Sequence, residues 1–216
     1  LYALCLDSVN TIGYALAEHI SGSLDGFSAL MNKRASDAGA VNTHFNNPHG
    51  LNDQTHLTTA HDMAKILWAA AENDVYRKIA GTGYYDFTDG DGHAISCKHG
   101  FKIFRSDQAE YDARCVCGKT GYTSEAMYTR AVYATDGKLD LIAVTMHSDS
   151  SAVALQDIET LLNYGFNNFF GRHIFPQIYN VKIIIFENQN VKLEVNMKDE
   201  TVWLSQQQMA ELFDTS

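Results

Sequence analysis

Asp136-Gly137 separates two segments, 127–134 and 139–147, that are both rich in aromatic and β-branched side chains. An Asp-Gly pair supplies the positive-φ corner of a tight antiparallel turn, so this spacing predicts a β-hairpin. Before about residue 82 the apolar period is helical instead. Ile12, Ala15, Leu16 and Ile20 share one helical face. Ser23 is placed to cap a second helix, with Phe27, Leu30, Met31 and Ala38 as its stripe and Gly39 at its end. Residues 42–58 are polar and contain Asn46-Asn47-Pro48-His49-Gly50, the chemistry of a surface loop. Thr59 and Asp62 resemble a capping box opening a third helix, with Met63, Ala64, Leu67 and Ala71 facing in. Beyond residue 82, Tyr84-Tyr85-Asp86-Phe87 and residues 93–97 flank a Gly-rich turn, which predicts a second hairpin. Residues 151–164 return to helix through Val153, Ile158, Leu161 and Leu162. Helices, then an antiparallel sheet, then a closing helix define an α+β fold.

The character shifts once more after Phe170. Residues 181–186 and 191–195 flank Glu187-Asn188-Gln189-Asn190 as a further hairpin, and Ser205 can cap a short helix through Phe213. The expected organisation is a domain at 1–170, a linker at 171–180 and an appendage at 181–216.

Lys+Arg 16 against Asp+Glu 26 gives a net charge of −10, which argues against non-specific nucleic-acid binding. Sites for anionic ligands must then be local, built from one or two cations. No run approaches the ~18 apolar residues of a membrane span, and no charged n-region precedes Leu1, Leu4 and Leu6, so a signal peptide is not expected at this start. Cys5, Cys97, Cys115 and Cys117 allow three pairings, with free or partly buried thiols favoured over a disulfide or a metal. His44, His49, His56 and His61 lack HExxH-type spacing and read as loop and surface histidines.

Two tripeptides carry the chemistry: Ser8-Val9-Asn10 ahead of a helix, and Lys119-Thr120-Gly121 followed by Tyr122 and Thr123. Either alone has a structural alternative, Ser8 and Asn10 as helix caps and Lys119 as an exposed strand lysine. Together, in this order and 119 − 8 = 111 residues apart, they read as the second and third motifs of the penicillin-recognising serine acyl-transferases.

The surrounding residues are more specific. The run from Tyr14 to Ser23 resembles the helix after Ser-x-Asn in D-alanyl-D-alanine carboxypeptidases of peptidase family S11. Residues 27–35 and 42–51, Thr58-Thr59-Ala60-His61-Asp62 and Gly118-Lys119-Thr120-Gly121-Tyr122-Thr123-Ser124-Glu125-Ala126 are similar to that family as well. The resemblance covers about residues 1–170 and implies a β-lactamase/transpeptidase-like fold. It further implies removal of the terminal D-alanine from peptidoglycan stem peptides through an acyl-enzyme, recognition of β-lactams, action outside the cytoplasmic membrane, and no metal or organic cofactor. Ser8 would relay protons and Asn10 would orient the substrate amide. Lys119 would supply a positive field. Thr120 and Thr123 would bind the terminal carboxylate beside Gly121, with Arg105 as a further candidate for it, and the Tyr122 N–H would form half of an oxyanion hole.

One family motif has no counterpart here. Ser-x-x-Lys, with the nucleophile and its base, precedes Ser-x-Asn in the family, but no lysine of this chain has a serine three residues earlier; only Thr135-Asp136-Gly137-Lys138 comes close. An N-terminally truncated, catalytically incomplete domain is therefore expected. It should have an open sheet edge, an uncovered apolar face and low stability. Separately, residues 181–216, with Thr201-Val202-Trp203-Leu204 and Gln208-Met209-Ala210-Glu211-Leu212-Phe213, resemble the start of the RhuM virulence-protein family. That family's module is DNA-associated, yet this segment carries 3 Lys against 6 acids, −3.

Overall fold

The computed structural model describes residues 1–169 and the backbones of 181–187, 190–197 and 200–202. Five helices come first: α1 (Tyr2–Asp7), α2 (Asn10–Ser21), α3 (Leu24–Asp37), α4 (Ala60–Ala71) and α5 (Asp74–Ala80). A hairpin of β1 (Tyr84–Thr88) and β2 (Ala94–Lys98) follows, then β3 (Cys115–Thr123), β4 (Met127–Thr135), β5 (Asp140–Ser148) and α6 (Ser151–Asn168). The strands β6 (Val181–Glu187), β7 (Asn190–Met197) and β8 (Glu200–Val202) complete a six-stranded sheet in the order β3-β4-β5-β6-β7-β8.

Local chemistry sets the element ends. Ser23 Oγ accepts the Gly26 N–H at 3.0 Å, and Ser150 Oγ accepts the Val153 N–H at 3.1 Å. Thr59 Oγ1 accepts the Asp62 N–H at 3.1 Å, but only this half of the capping box forms. The Asp62 carboxylate instead accepts from Asn42 N–H (2.6 Å) and Thr43 Oγ1 (2.9 Å), tying the 42–58 loop to α4. At the Asp-Gly corner, Asp136 Oδ1 accepts the Lys138 and Leu139 N–H groups, and Gly137 takes φ 83°.

The sheet is a middle layer. Val132, Ala134, Leu141 and Ala143 pack with Ile158, Leu161 and Leu162 of α6. The alternate residues Ala131, Ile142 and Val144 pack with Ala60, Ala64, Leu67 and Ala71 of α4. This is the period-2 alternation of strands buried on both faces. A third small cluster, Leu6, Ile79 and Cys97, joins α1, α5 and the β1–β2 hairpin. The four cysteines are unpaired.

Three apolar expectations are corrected. On α2 the buried face is Gly13 and Ala17, while Ile20 is 58% exposed. Leu30 on α3 and Val153 on α6 are likewise exposed. The pair α2–α3 packs on itself rather than on the sheet, so several of its large apolar residues are left outside. The short helices α1 and α5 were not expected. Nor does β5 present an open edge, because β6 runs parallel to it, pairing Asp140 with Val181 through Met146 with Glu187. The otherwise antiparallel sheet is therefore mixed. The expected linker at 171–180 and the helix through residue 213 lie outside the described residues.

Candidate active site

Ser8-Val9-Asn10 forms the corner between α1 and α2. Ser8 takes φ 56°, ψ 43°, a left-handed conformation uncommon for serine, and Asn10 is the first residue of α2. Neither side chain caps that helix: its N-cap is Val9, and no side chain accepts there. The corner is tied down by the Gly100 N–H donating to Leu6 O (2.9 Å) and the Lys98 N–H donating to Asp7 Oδ1 (3.2 Å).

Lys119 reaches this corner from β3. Its Nζ donates to Ser8 Oγ, across 111 residues of chain, and to Thr120 O at 2.8 Å. Next to it, Gly118 lets β3 pack tightly against β4 and the Phe104 ring, since a Cβ there would stand 2.5 Å from Ala131 O and 3.1 Å from that ring. Burial pulls the Lys119 ammonium below its ordinary pKa; nearby Cys5 opposes the shift and Arg130 adds to it.

A cleft of about 980 Å³ gathers Ser8, Asn10, Lys119, Thr120, Gly121, Tyr122 and Thr123. Its opposite wall is the loop carrying Phe45, His49, Asp53 and His56, and its lining includes apolar Leu4, Met63, Tyr76 and Val144. Thr123 Oγ1 accepts the Ala126 N–H at 2.9 Å, closing the β3–β4 turn while leaving its O–H free to donate.

Arg105 does not line the cleft. It is 7% exposed, and Tyr84, His99, Asp107 and Glu110 feel its charge. The arginine in the lining is Arg130 on β4, which the sequence reading passed over. Its signal was a lone cation inside a strand of otherwise uncharged residues. His99 was missed too. His99 is 1% exposed, with Nε2 donating to Ala80 O (3.0 Å) and Nδ1 accepting the Phe101 N–H (3.0 Å). This pattern fixes the neutral ring, and burial lowers its pKa to about 4. Among the described residues one group has metal-ligand proximity: Asp89, Asp91 and His93, in the β1–β2 turn. Asp89 Oδ1 there accepts the Asp91 and His93 N–H groups, which accounts for the cluster as turn chemistry.

Comparison with known proteins places this architecture among penicillin-binding and transpeptidase folds. The crystal structure of the Streptomyces K15 DD-transpeptidase matches with a TM-score of 0.70 and 27% identity, over 77% of this chain and 66% of that one. Residues 1–150 match the model of the Peptidase_S11 family, D-alanyl-D-alanine carboxypeptidase. Curated relatives include D-alanyl-D-alanine carboxypeptidase DacF of Bacillus subtilis, 30% identical over 173 residues, covering 78% of this chain and 42% of the relative. DacC of Escherichia coli is 32% identical over 164 residues, covering 76% and 39%. The chain belongs to the S11 D-alanyl-D-alanine carboxypeptidase family. It spans about two fifths of the length of these two relatives.

Proposed function

We propose that the cleft is the substrate-holding part of a serine-type D-alanyl-D-alanine carboxypeptidase, a class that removes the terminal D-alanine of peptidoglycan stem peptides through an acyl-enzyme outside the cytoplasmic membrane. The observation that carries this reading is the Lys119 Nζ–Ser8 Oγ hydrogen bond at the cleft. It sets a hydroxyl beside an ammonium whose lowered pKa eases proton exchange. Asn10 presents an amide to the substrate backbone, Thr120 and Thr123 offer hydroxyls, and the Tyr122 N–H donates to the developing oxyanion.

These 216 residues hold no Ser-x-x-Lys, so the groups present bind and orient a substrate without the family's nucleophile. A fluorescent penicillin is expected to leave no covalent label on this chain, while a peptide ending in D-Ala-D-Ala binds measurably by calorimetry. A label mapped to any serine, Ser8 included, would overturn the non-acylating part. Absence of peptide binding would overturn the substrate assignment. Lys119→Ala should lower peptide affinity at least tenfold.

A further inference from the structure

We propose that His49 and His56 are positioning residues of the cleft: as neutral imidazoles they hold its loop wall, and protonation of the two rings releases that wall. That the wall encloses a peptide rests on the function proposed above; the response to protons rests on the loop alone.

The base of the loop is fastened without imidazole acceptors. Asn32 Nδ2 donates to Phe45 O, and the Phe45 N–H donates to Asn32 Oδ1, both at 2.7 Å. His44 and Leu57 exchange backbone hydrogen bonds of 2.8 and 3.0 Å. His44 Nδ1 donates to Thr55 O at 2.8 Å, a bond that a protonated ring keeps, because a carbonyl can only accept.

The tip is fastened differently. His49 Nδ1 accepts the Leu51 N–H at 3.1 Å, and His56 Nδ1 accepts the Asn46 N–H at 3.2 Å. Only a bare ring nitrogen can accept, so each neutral imidazole carries its proton on Nε2. A proton on Nδ1 sets donor against donor in both places. At His56 the protonated nitrogen has a second partner, Asn46 Oδ1 at 3.1 Å, so the ring re-pairs while the Asn46 N–H is left without its acceptor. Pro48, Gly50, Leu51 and Asn52, between the two rings, line the cleft with them. Loss of these two bonds therefore frees the tip while the base stays closed.

The surroundings fit rings that are neutral when the wall is held. His49 packs on Tyr14 of α2, ring centres 4.6 Å apart, and His56 packs on Phe45 at 5.3 Å. Burial lowers the pKa of both rings; for His56 the charges of His49 and His44 add to the shift and that of Asp53 opposes it. His61 and Asp62 stand at the loop base, and Lys119, Glu125 and Arg130 line the rest of the cleft.

Amide hydrogen exchange of the full chain, read residue by residue by NMR and corrected for the intrinsic pH dependence of exchange, tests this without a ligand. From about pH 7.5 to about pH 5, protection of the Asn46 and Leu51 N–H groups should fall about tenfold, while that of Phe45 and Leu57 changes less than about twofold. The double variant His49→Asn with His56→Asn offers a side-chain oxygen that accepts at any pH, and should show no such step. Protection undiminished in acid, an equal loss at Phe45 and Leu57, or a step that survives the double substitution overturns the proposal. If the double variant does not fold, the nitrogen–nitrogen coupling across the wild-type Leu51 N–H···Nδ1 bond of His49 decides. A coupling present at the higher pH and gone at the lower sustains the proposal; one absent at the higher pH, or kept at the lower, overturns it. A chain that binds no peptide fails the function proposed above, while the proton response still stands or falls by the loop.

Discussion

The two faces of the sheet are finished differently. Under α6 the strand residues Val132, Ala134, Leu141 and Ala143 meet Ile158, Leu161 and Leu162, each 0% exposed. On the other face, α4 covers Ile142 and Ala131, but the layer then opens into the cleft, with Met63 and Tyr76 only partly buried. The closed face holds the strands in register. The open face leaves Lys119, on β3, a solvent-reached surface to work on, at a cost in apolar contact.

The largest effect should come from the closed face. Ile158→Ala deletes part of a side chain at 0% exposure and is expected to cost about 2–5 kcal/mol in denaturant unfolding. Met63→Ala, at the cleft, should cost clearly less; equal costs would erase the distinction between the faces. The chain as a whole should unfold below about 60 °C, and a cooperative transition well above that would show that the open face carries little penalty.

Next in size is a pH effect. His99 is held neutral with a folded pKa of about 4, against about 6.5 when unfolded. The unfolded chain therefore binds more protons between these values, and stability should fall as pH drops from about 6.5 to about 4, by about 3 kcal/mol. Thermal scans should show this slope, and His99→Gln should flatten it. Gly118→Ala, which brings a Cβ against Ala131 O, should cost about 1–3 kcal/mol and weaken peptide binding through Lys119. Ser23→Ala removes the α3 cap and should cost about 1 kcal/mol, without altering binding, because α3 lies away from the cleft lining.

Much of the scaffold was legible because it depends on local chemistry. The Asp136-Gly137 hairpin and the caps at Ser23 and Thr59 follow from residue type and period. The buried faces of α2 and α3 were not, since a helix packed on a neighbouring helix hides small residues that hydrophobicity does not single out. Ser8, Asn10 and Lys119 could be brought together only because their motifs fall in a recognised order; nothing local says that residues 8 and 119 touch. Arg105 and Arg130 show the limit most plainly. Both are strongly buried arginines, and which of them meets the cleft is decided by strand pairing, Arg130 opposite Thr120, rather than by distance along the chain.

Ser8, Met127 and His147 are the described non-glycine residues with positive φ, and each is, or directly adjoins, a residue of the cleft lining. A left-handed L-residue is disfavoured by about 1–2 kcal/mol, so the rim is sprung, its shape maintained against the local preference of the backbone by everything packed behind it. Glycine at position 8 would relax that spring while deleting the hydroxyl. The fold is thus arranged so that its easiest local stabilisation and its chemistry compete for the same atom.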